Sequence, residues 1–192
     1  EMLQTSDNSQ TRETAATMGK HISRMENYVS SMSNLRRMED TQPDYKLIDL
    51  QPLVSSLYDS AKIVCTKNGK ELILQNDIPF LQLSLDSAFI SQVCNNLISN
   101  AVRYARTLVT ISFTLHDNGL LLSVSDDGNG FDKDSLQKAA NPYFTGESNH
   151  SEHFGLGLYI CKLLCEHHNG YLQIRNTVNG ANVSAYFKSP TL

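Results

Sequence analysis

Asn96, Asn100 and Arg103 recur at i, i+4 and i+7 within the run Ser91–Ala105. At about 100° per residue they share one helical face, while Ile90, Val93, Cys94, Leu97, Ala101 and Ala105 make a contiguous apolar one. A solvated helix face is ordinarily built from Lys, Glu and Gln. Asn is a poorer helix former, so a pair of them one turn apart points to a requirement other than helix stability. A neutral amide oxygen is a hard ligand that can complete a Mg²⁺ shell otherwise made of phosphate oxygens and water. A guanidinium one turn further on can meet a phosphate. Spacing alone is met equally well by a plain polar face.

Two glycine-rich segments offer complementary chemistry. Val124-Ser-Asp-Asp-Gly-Asn-Gly-Phe131 follows a predicted strand. Its glycines permit close backbone approach, and a carboxylate at the strand end can accept a hydrogen bond from an exocyclic amine. A simple turn would read the same way, but a calcium loop would not, because no EF-hand spacing of acidic residues follows. In His153-Phe-Gly-Leu-Gly-Leu-Tyr-Ile160, a Gly-x-Gly opens a predicted helix, where main-chain N–H groups and the helix dipole favour phosphate. Tyr159 stands where a dinucleotide fingerprint needs its last glycine, and no Gly-Lys-Ser/Thr of a Walker loop follows.

The elements that would hold these groups are legible in outline. Strand patterns cover Tyr45–Leu50, Glu71–Gln75, Leu81–Leu85, Leu108–Leu115, Leu120–Ser125, Tyr171–Asn176 and Ala181–Lys188. Asp117-Asn118-Gly119 and Asn179-Gly180 read as hairpin turns. Helices are predicted over Leu53–Asn68 with Gly69 as C-cap, Ile90–Ala105 capped by Asp86 or Ser87, and Gly157–His168. Asp126–Phe154 is turn-rich and aperiodic. Helices mixed with antiparallel strands predict an α+β two-layer sandwich, with helices on one face of a single sheet.

Upstream, Thr11–Asp40 predicts one long helix after a loose polar start, Glu1–Gln10. Met18, Met25 and Met32 repeat every seventh residue, with Ile22, Tyr28, Val29 and Leu35 completing a bundle or coiled-coil stripe. Pro43 breaks it, which divides the chain into 1–43, a helix and linker, and 44–192, a globular domain. A formal charge of −4 with pI near 5.8 gives no footprint for nucleic acid. No apolar run approaches the ~20 residues that cross a bilayer. Cys65, Cys94, Cys161 and Cys165 all fall within apolar helical patterns and read as buried thiols rather than a zinc site.

Taken together, in this order and spacing, the three segments resemble the GHKL superfamily of ATP-binding domains, and within it the sensor histidine kinases. Asn96–Ala105 is similar to the kinase N-box, Asp126–Gly130 to the first glycine box and Gly155–Leu158 to the second. Asn141-Pro-Tyr-Phe-Thr-Gly-Glu147 is similar to the aromatic box, with Tyr143 where Phe is usual. The resemblance covers about residues 45–188 and implies the Bergerat-type sandwich, ATP and Mg²⁺.

It also implies roles. Asn100 would bind the Mg²⁺ that bridges the phosphates, with Asn96 beside it. Arg103 would contact a phosphate and Tyr104 would pack on the nucleotide. Asp126 would accept from the adenine amine, and Gly128 and Gly130 would admit the ring. Gly155, Leu156, Gly157 and Leu158 would meet the phosphates at the hinge of a lid over about 131–154. The polar stretch Glu147–Glu152 suits such a lid, and His150 and His153 read as solvent-facing. The hydrolytic relatives carry Glu at the position of Asn96. An amide cannot take a proton from water, so the reading turns from ATPase to kinase.

The family's phosphoacceptor is a His followed by an acid and then, a few positions on, a Pro. His21 is followed by Ile22-Ser-Arg-Met25 and does not fit. The expectation is therefore the second helix of a dimerising hairpin attached to a catalytic domain. The acceptor His would lie on a helix of the same or a partner protomer, with a homodimer and a response regulator as partners. A cytoplasmic place, within a parent that can be membrane-anchored, follows from the family and not from the residues. A degenerate, docking-only domain and a serine kinase of the anti-sigma type share the boxes. The complete residue set argues against the first, and the long helix against the second.

Overall fold

The computed structural model of the chain describes residues 13–19, 22, 25–26, 29, 32–33, 35–36, 38–144 and 155–190. The strands are β1 (Lys46–Asp49), β2 (Glu71–Asn76), β3 (Gln82–Leu85), β4 (Leu108–His116), β5 (Gly119–Asp126), β6 (Tyr171–Asn176) and β7 (Ala181–Lys188). The helices are α1 (Leu50–Lys67), α2 (Ser87–Tyr104), α3 (Lys133–Lys138) and α4 (Gly157–His167).

A five-stranded sheet runs β2-β4-β5-β7-β6, and β1 pairs with β3 in a separate two-stranded ribbon. Register aligns alternate apolar residues into rows. Leu74 lies beside Ile111, Ile111 beside Val124, Val124 beside Val183, and Val183 beside Ile174. That row faces α1, α2 and α4, whose Leu57, Leu97, Ile98 and Leu164 join the same core. The opposite face carries a polar ladder. Arg175 Nε and Ser184 Oγ donate to Asn182 Oδ1, Asn182 Nδ2 donates to Ser125 Oγ, and Ser123 pairs with Ser184. The α+β sandwich expected from the pattern is what the chain forms.

The single sheet of the sequence-based outline is corrected to two, because β1 and β3 pair only with each other, and three further details depart from that outline. Helix α1 begins at Leu50 rather than Leu53, because Pro52 falls in the first turn, where a missing N–H breaks no helical bond. The aperiodic stretch contains α3, nucleated by Asp132, whose carboxylate accepts from Ser135 N at 2.7 Å. Finally, β2 and β4 pair in parallel, with α2 in the crossover between them.

Every described residue from 13 to 40 has helical backbone. Of the predicted stripe, Met18, Ile22, Met25, Val29 and Met32 are exposed in the single chain, whereas Leu35 is buried. At the end of this segment Gln92 Nε2 donates to Met38 Sδ and Tyr159 OH to Glu39 Oε1. His21, Tyr28, residues 145–154 with His150 and His153, and parts of the predicted Thr11–Asp40 helix lie outside the described residues. No helix among the described residues is long and apolar enough to cross a membrane.

The start of α2 is fixed by Asp86. Its Oδ1 accepts from Ala88 N at 2.8 Å and Phe89 N at 3.1 Å, and its Oδ2 from Asp44 N at 2.8 Å. The main-chain N–H of Asp86 donates to Nε2 of the fully buried His168 at 3.1 Å. His168 Nδ1 lies 3.4 Å from Lys188 O, which assigns the ring proton to Nδ1. Rings of Tyr45, Phe89 and Phe187 surround it edge-on. Burial holds the imidazole below its ordinary pKa, against the opposing effects of the Lys188 bond and Asp86.

A depressed histidine pKa makes the folded state refuse a proton that the unfolded chain accepts below about pH 6.5, so stability falls on acidification. Urea midpoints are expected to drop between about pH 7 and pH 5 in the parent, and to drop less in His168→Gln. Parallel pH curves for the two proteins would count against the assignment.

Candidate ATP-binding site

Helix α2 is central in the helical layer, packed between α1 and α4, so its apolar face is wider than the periodicity implied. Phe89, Ile98 and Val102 are buried in addition to the predicted positions. The remaining strip turns Asn96 and Asn100 toward α4. A Cβ placed on Gly157, the first residue of α4, would lie 3.7 Å from Asn100 Nδ2. One turn earlier, the Asn96 amide is hydrogen-bonded to the thiol of Cys161. Cys161 is fully buried, and its Sγ also lies 3.8 Å from Val93 O. Arg103, at the end of the strip, holds its guanidinium 5.6 Å from the ring centre of Tyr104, a half-exposed side chain. Asn100 therefore meets the second glycine segment, Asn96 meets α4 one turn further along at Cys161, and Arg103 stacks on its neighbour.

That segment starts at Gly155, with φ +65°, and Leu156 stands at the N-cap of α4 without a side-chain hydrogen bond to the first turn. The N–H groups of this helix end have no side-chain cap and lie next to Asn100. Leu156 is buried and Leu158 packs on the core, so their side chains anchor the segment. Only their main-chain atoms remain for a ligand.

The first glycine segment seats against the C-terminal end of α2, at Tyr104. Asp126 ends β5, and its Oδ1 accepts from Gly128 N at 2.9 Å. A second bond comes from the N–H of Ala181 on β7. Burial raises the pKa of Asp126 above the ordinary carboxylate value, outweighing these two bonds, and the charge on Asp127 adds to the rise. The neighbouring Asp127 behaves oppositely. Desolvation opposes ionisation there, but bonds from the Thr107 hydroxyl and from main-chain N–H groups of Leu108, Thr107 and Arg106 hold its carboxyl well below the ordinary range. Its Oδ1 accepts from Arg106 N at 2.8 Å and Thr107 N at 3.0 Å, and its Oδ2 from Thr107 Oγ1 at 2.7 Å.

The two glycines have distinct structural reasons. A Cβ on Gly128 would stand 2.3 Å from the carbonyl oxygen of Tyr104, so this residue lets the turn seat on the end of α2. Gly130 has φ +73°, and a Cβ there would meet Asn176 Oδ1 at 2.7 Å. Asn176, Ala181 and Cys161 carry no sequence signal for this site, and Asp127 is marked only as part of the first glycine segment. Asn179-Gly180 marked only a turn. A polar cavity of about 560 Å³ lies on the hairpin side of the first glycine segment, lined by Arg106, Asp127, Gly128, Asn129 and Asn176 among others. It includes none of Asn100, Asp126 and Gly157. The four cysteines are buried, and burial pushes the Cys94 thiol up to about 12.

A sandwich whose central helix presents paired amides to a glycine-opened helix, with a half-buried carboxylate at a strand end, can be compared with known proteins. Residues 85–191 match the family model described as histidine kinase-, DNA gyrase B- and HSP90-like ATPase. The sensor histidine kinase YvrG of Bacillus subtilis is 26% identical over 97% of this chain and 34% of its own length. The sensor protein kinase PilS of Pseudomonas aeruginosa is 30% identical over 82% of this chain and 30% of its own. The fold matches the Acinetobacter baumannii histidine kinase AdeS with a TM-score of 0.68 at 20% identity, over 86% of this chain and 79% of that one. The chain belongs to this ATP-binding family, and the relatives it matches along most of its length are sensor histidine kinases. It spans about a third of the length of these curated relatives.

Proposed function

We propose that this domain binds MgATP between α2 and α4 and transfers the γ-phosphoryl group to a histidine on a dimerisation helix. The observation that carries the reading is the placement of Asn100 against the uncapped start of α4, with an amide and not a carboxylate at position 96. The residues fit both nucleotide and metal. Asn100 offers a neutral oxygen for Mg²⁺, main-chain N–H groups at the start of α4 suit phosphate, and Asp126 offers an acceptor to the adenine amine. When bound, Mg²⁺ supplies charge neutralisation for the transferring phosphoryl group. Asn96, held by Cys161, lines the site without being able to take a proton from water. Arg103 can leave the Tyr104 ring to meet a phosphate, and Tyr104 can pack on the nucleotide. Gly128 and Gly130 admit the ring, while Gly155, Leu156, Gly157 and Leu158 present main-chain groups to the phosphates.

In this reading residues 1–43 are the second helix of a dimerisation hairpin with its linker, and 44–192 the catalytic domain. The exposed heptad positions Met18, Met25 and Met32 fit a homodimer in the full protein. A response regulator, and a parent anchored at a membrane with this domain in the cytoplasm, complete the proposal from the family.

Calorimetric titration with ATP tests the metal assignment. Asn100→Ala is expected to weaken MgATP binding at least tenfold, by about 1.4 kcal/mol, and to leave metal-free ATP nearly unchanged. Equal losses with and without Mg²⁺ would remove Asn100 as the metal residue. Supplying an acceptor helix hairpin with labelled ATP should yield acid-labile phosphoprotein. Rapid release of phosphate with no phosphoprotein would instead favour a hydrolase.

A further inference from the structure

Asn176 stands at the end of β6, outside every motif that marks the nucleotide site. Its side chain nevertheless makes two hydrogen bonds to one distant residue. Phe131 N–H donates to Asn176 Oδ1 at 2.8 Å, and Asn176 Nδ2 donates to Phe131 O at 2.7 Å. The amide thus pairs with both main-chain groups of Phe131, as a neighbouring strand would. Phe131 immediately follows the turn that begins at Asp126. Gly130 lies so close that any Cβ would collide with the same Asn176 oxygen.

The rest of the hairpin holds the other end of the turn. Thr177 N–H donates to Gly180 O at 2.8 Å, which closes the loop and sets Ala181 so that its N–H reaches the Asp126 carboxylate. On the far side, Asp127 fastens the turn to Arg106 and Thr107. Without Asn176, the turn from Asp126 to Phe131 would be pinned at its start and middle and free at its exit.

We infer that Asn176 is a positioning residue for nucleotide binding: its amide fixes the exit of the Asp126–Phe131 turn and so holds the adenine-facing wall of the site in its binding shape. This rests on the proposed ATP site. The requirement is chemical as well as steric. Phe131 needs one acceptor and one donor from the same side chain, and a carboxamide supplies both. The isosteric Asn176→Asp keeps an acceptor for Phe131 N–H, removes the donor, and sets a negative charge against the Phe131 carbonyl. Because the wall is preformed, its loss affects nucleotide binding before and during transfer alike, which raises KM and leaves kcat.

The test uses the full 192-residue chain and MgADP titrations, with Asn100→Ala and Asp126→Ala as controls. Asn176→Ala is expected to weaken MgADP by about tenfold, the loss of two exposed hydrogen bonds. Asn176→Asp should weaken it at least as much near neutral pH. A role limited to filling space predicts instead that the isosteric Asp binds like the parent, and that result would overturn the inference. Amide hydrogen exchange gives a readout independent of ligand. Phe131 N–H should be protected in the nucleotide-free parent and exchange faster in both variants, while β5 amides keep their protection. An unprotected Phe131 N–H in the parent would equally overturn it. If the two controls bind MgADP like the parent, the nucleotide site itself falls. If they weaken binding and the Asn176 variants do not, only the role of Asn176 falls.

Discussion

Asp126→Asn should lose about 100-fold in affinity for ATP and ADP, about 2.7 kcal/mol, while unfolding no more easily than the parent. The two halves of this result have one cause. The carboxylate is half-buried at the end of β5 and bonded to the N–H groups of Gly128 and Ala181. An amide that keeps its oxygen toward the Gly128 N–H turns its NH₂ toward the adenine amine, donor against donor. Binding is lost through an unsatisfied pair and a missing charge.

Burial has raised the folded pKa of Asp126, so its contribution to stability is present in acid and lost as pH rises through that value. Near neutral pH the ionised group costs folding energy, and the neutral amide removes that cost. Affinity in the parent should also fall on acidification, at a pH above the ordinary carboxylate value, with that limb missing in Asp126→Asn. Calorimetric titration across pH and urea melts of both proteins check these points together. Parent-like ADP binding by Asp126→Asn would end the adenine assignment.

Gly170→Ala is expected to have the largest effect on stability, about 3 kcal/mol, read as a lowered urea midpoint or as failure to accumulate folded protein. A Cβ at this position would stand 1.8 Å from the carbonyl oxygen of Tyr186 and 3.2 Å from that of Cys165. Neither atom can swing away as a side chain could. Tyr186 is paired with Leu121 on one side and Tyr171 on the other. Cys165 O already accepts from Gly170 N at 2.8 Å to close α4. Relief would require opening the sheet beside its central strands, or unwinding the turn that carries His168 to Asp86. An unchanged midpoint would show that the junction yields more easily than its pairing implies.

What could be read from the sequence divides along physical lines. Local signals survived folding. The apolar positions of α2 from Ile90 to Ala105 are all buried, the hairpin at Asp117–Gly119 forms, and the α2 N-cap is one of the two residues named. The boxes marked Asn100 and Gly157, which do meet in the fold, because each box is a short run of unusual residue types that can be read without its partner. Features made by distant segments were silent. Nothing near Glu71 or Leu108 announces that they pair in parallel, since only the crossover through α2 brings them together. His168 looks like any polar residue after a helix. Its burial depends on Tyr45, Phe89 and Phe187, which come from three other parts of the chain. Asn176 sits beside a turn rich in Asn, where one more Asn carries no information until Phe131 is seen beside it.

The order of the sheet has a consequence for synthesis. The last strand of this sheet in chain order, β7, is not at an edge but lies between β5 and β6. Until it arrives, Leu120, Leu122 and Val124 have no neighbour on one side, and Asp126 lacks the N–H of Ala181. A nascent chain that stops short of Ala181 therefore has an open strand edge and no adenine wall. The sheet closes only after β7 is released, and a growing polypeptide has no finished site for a nucleotide before then.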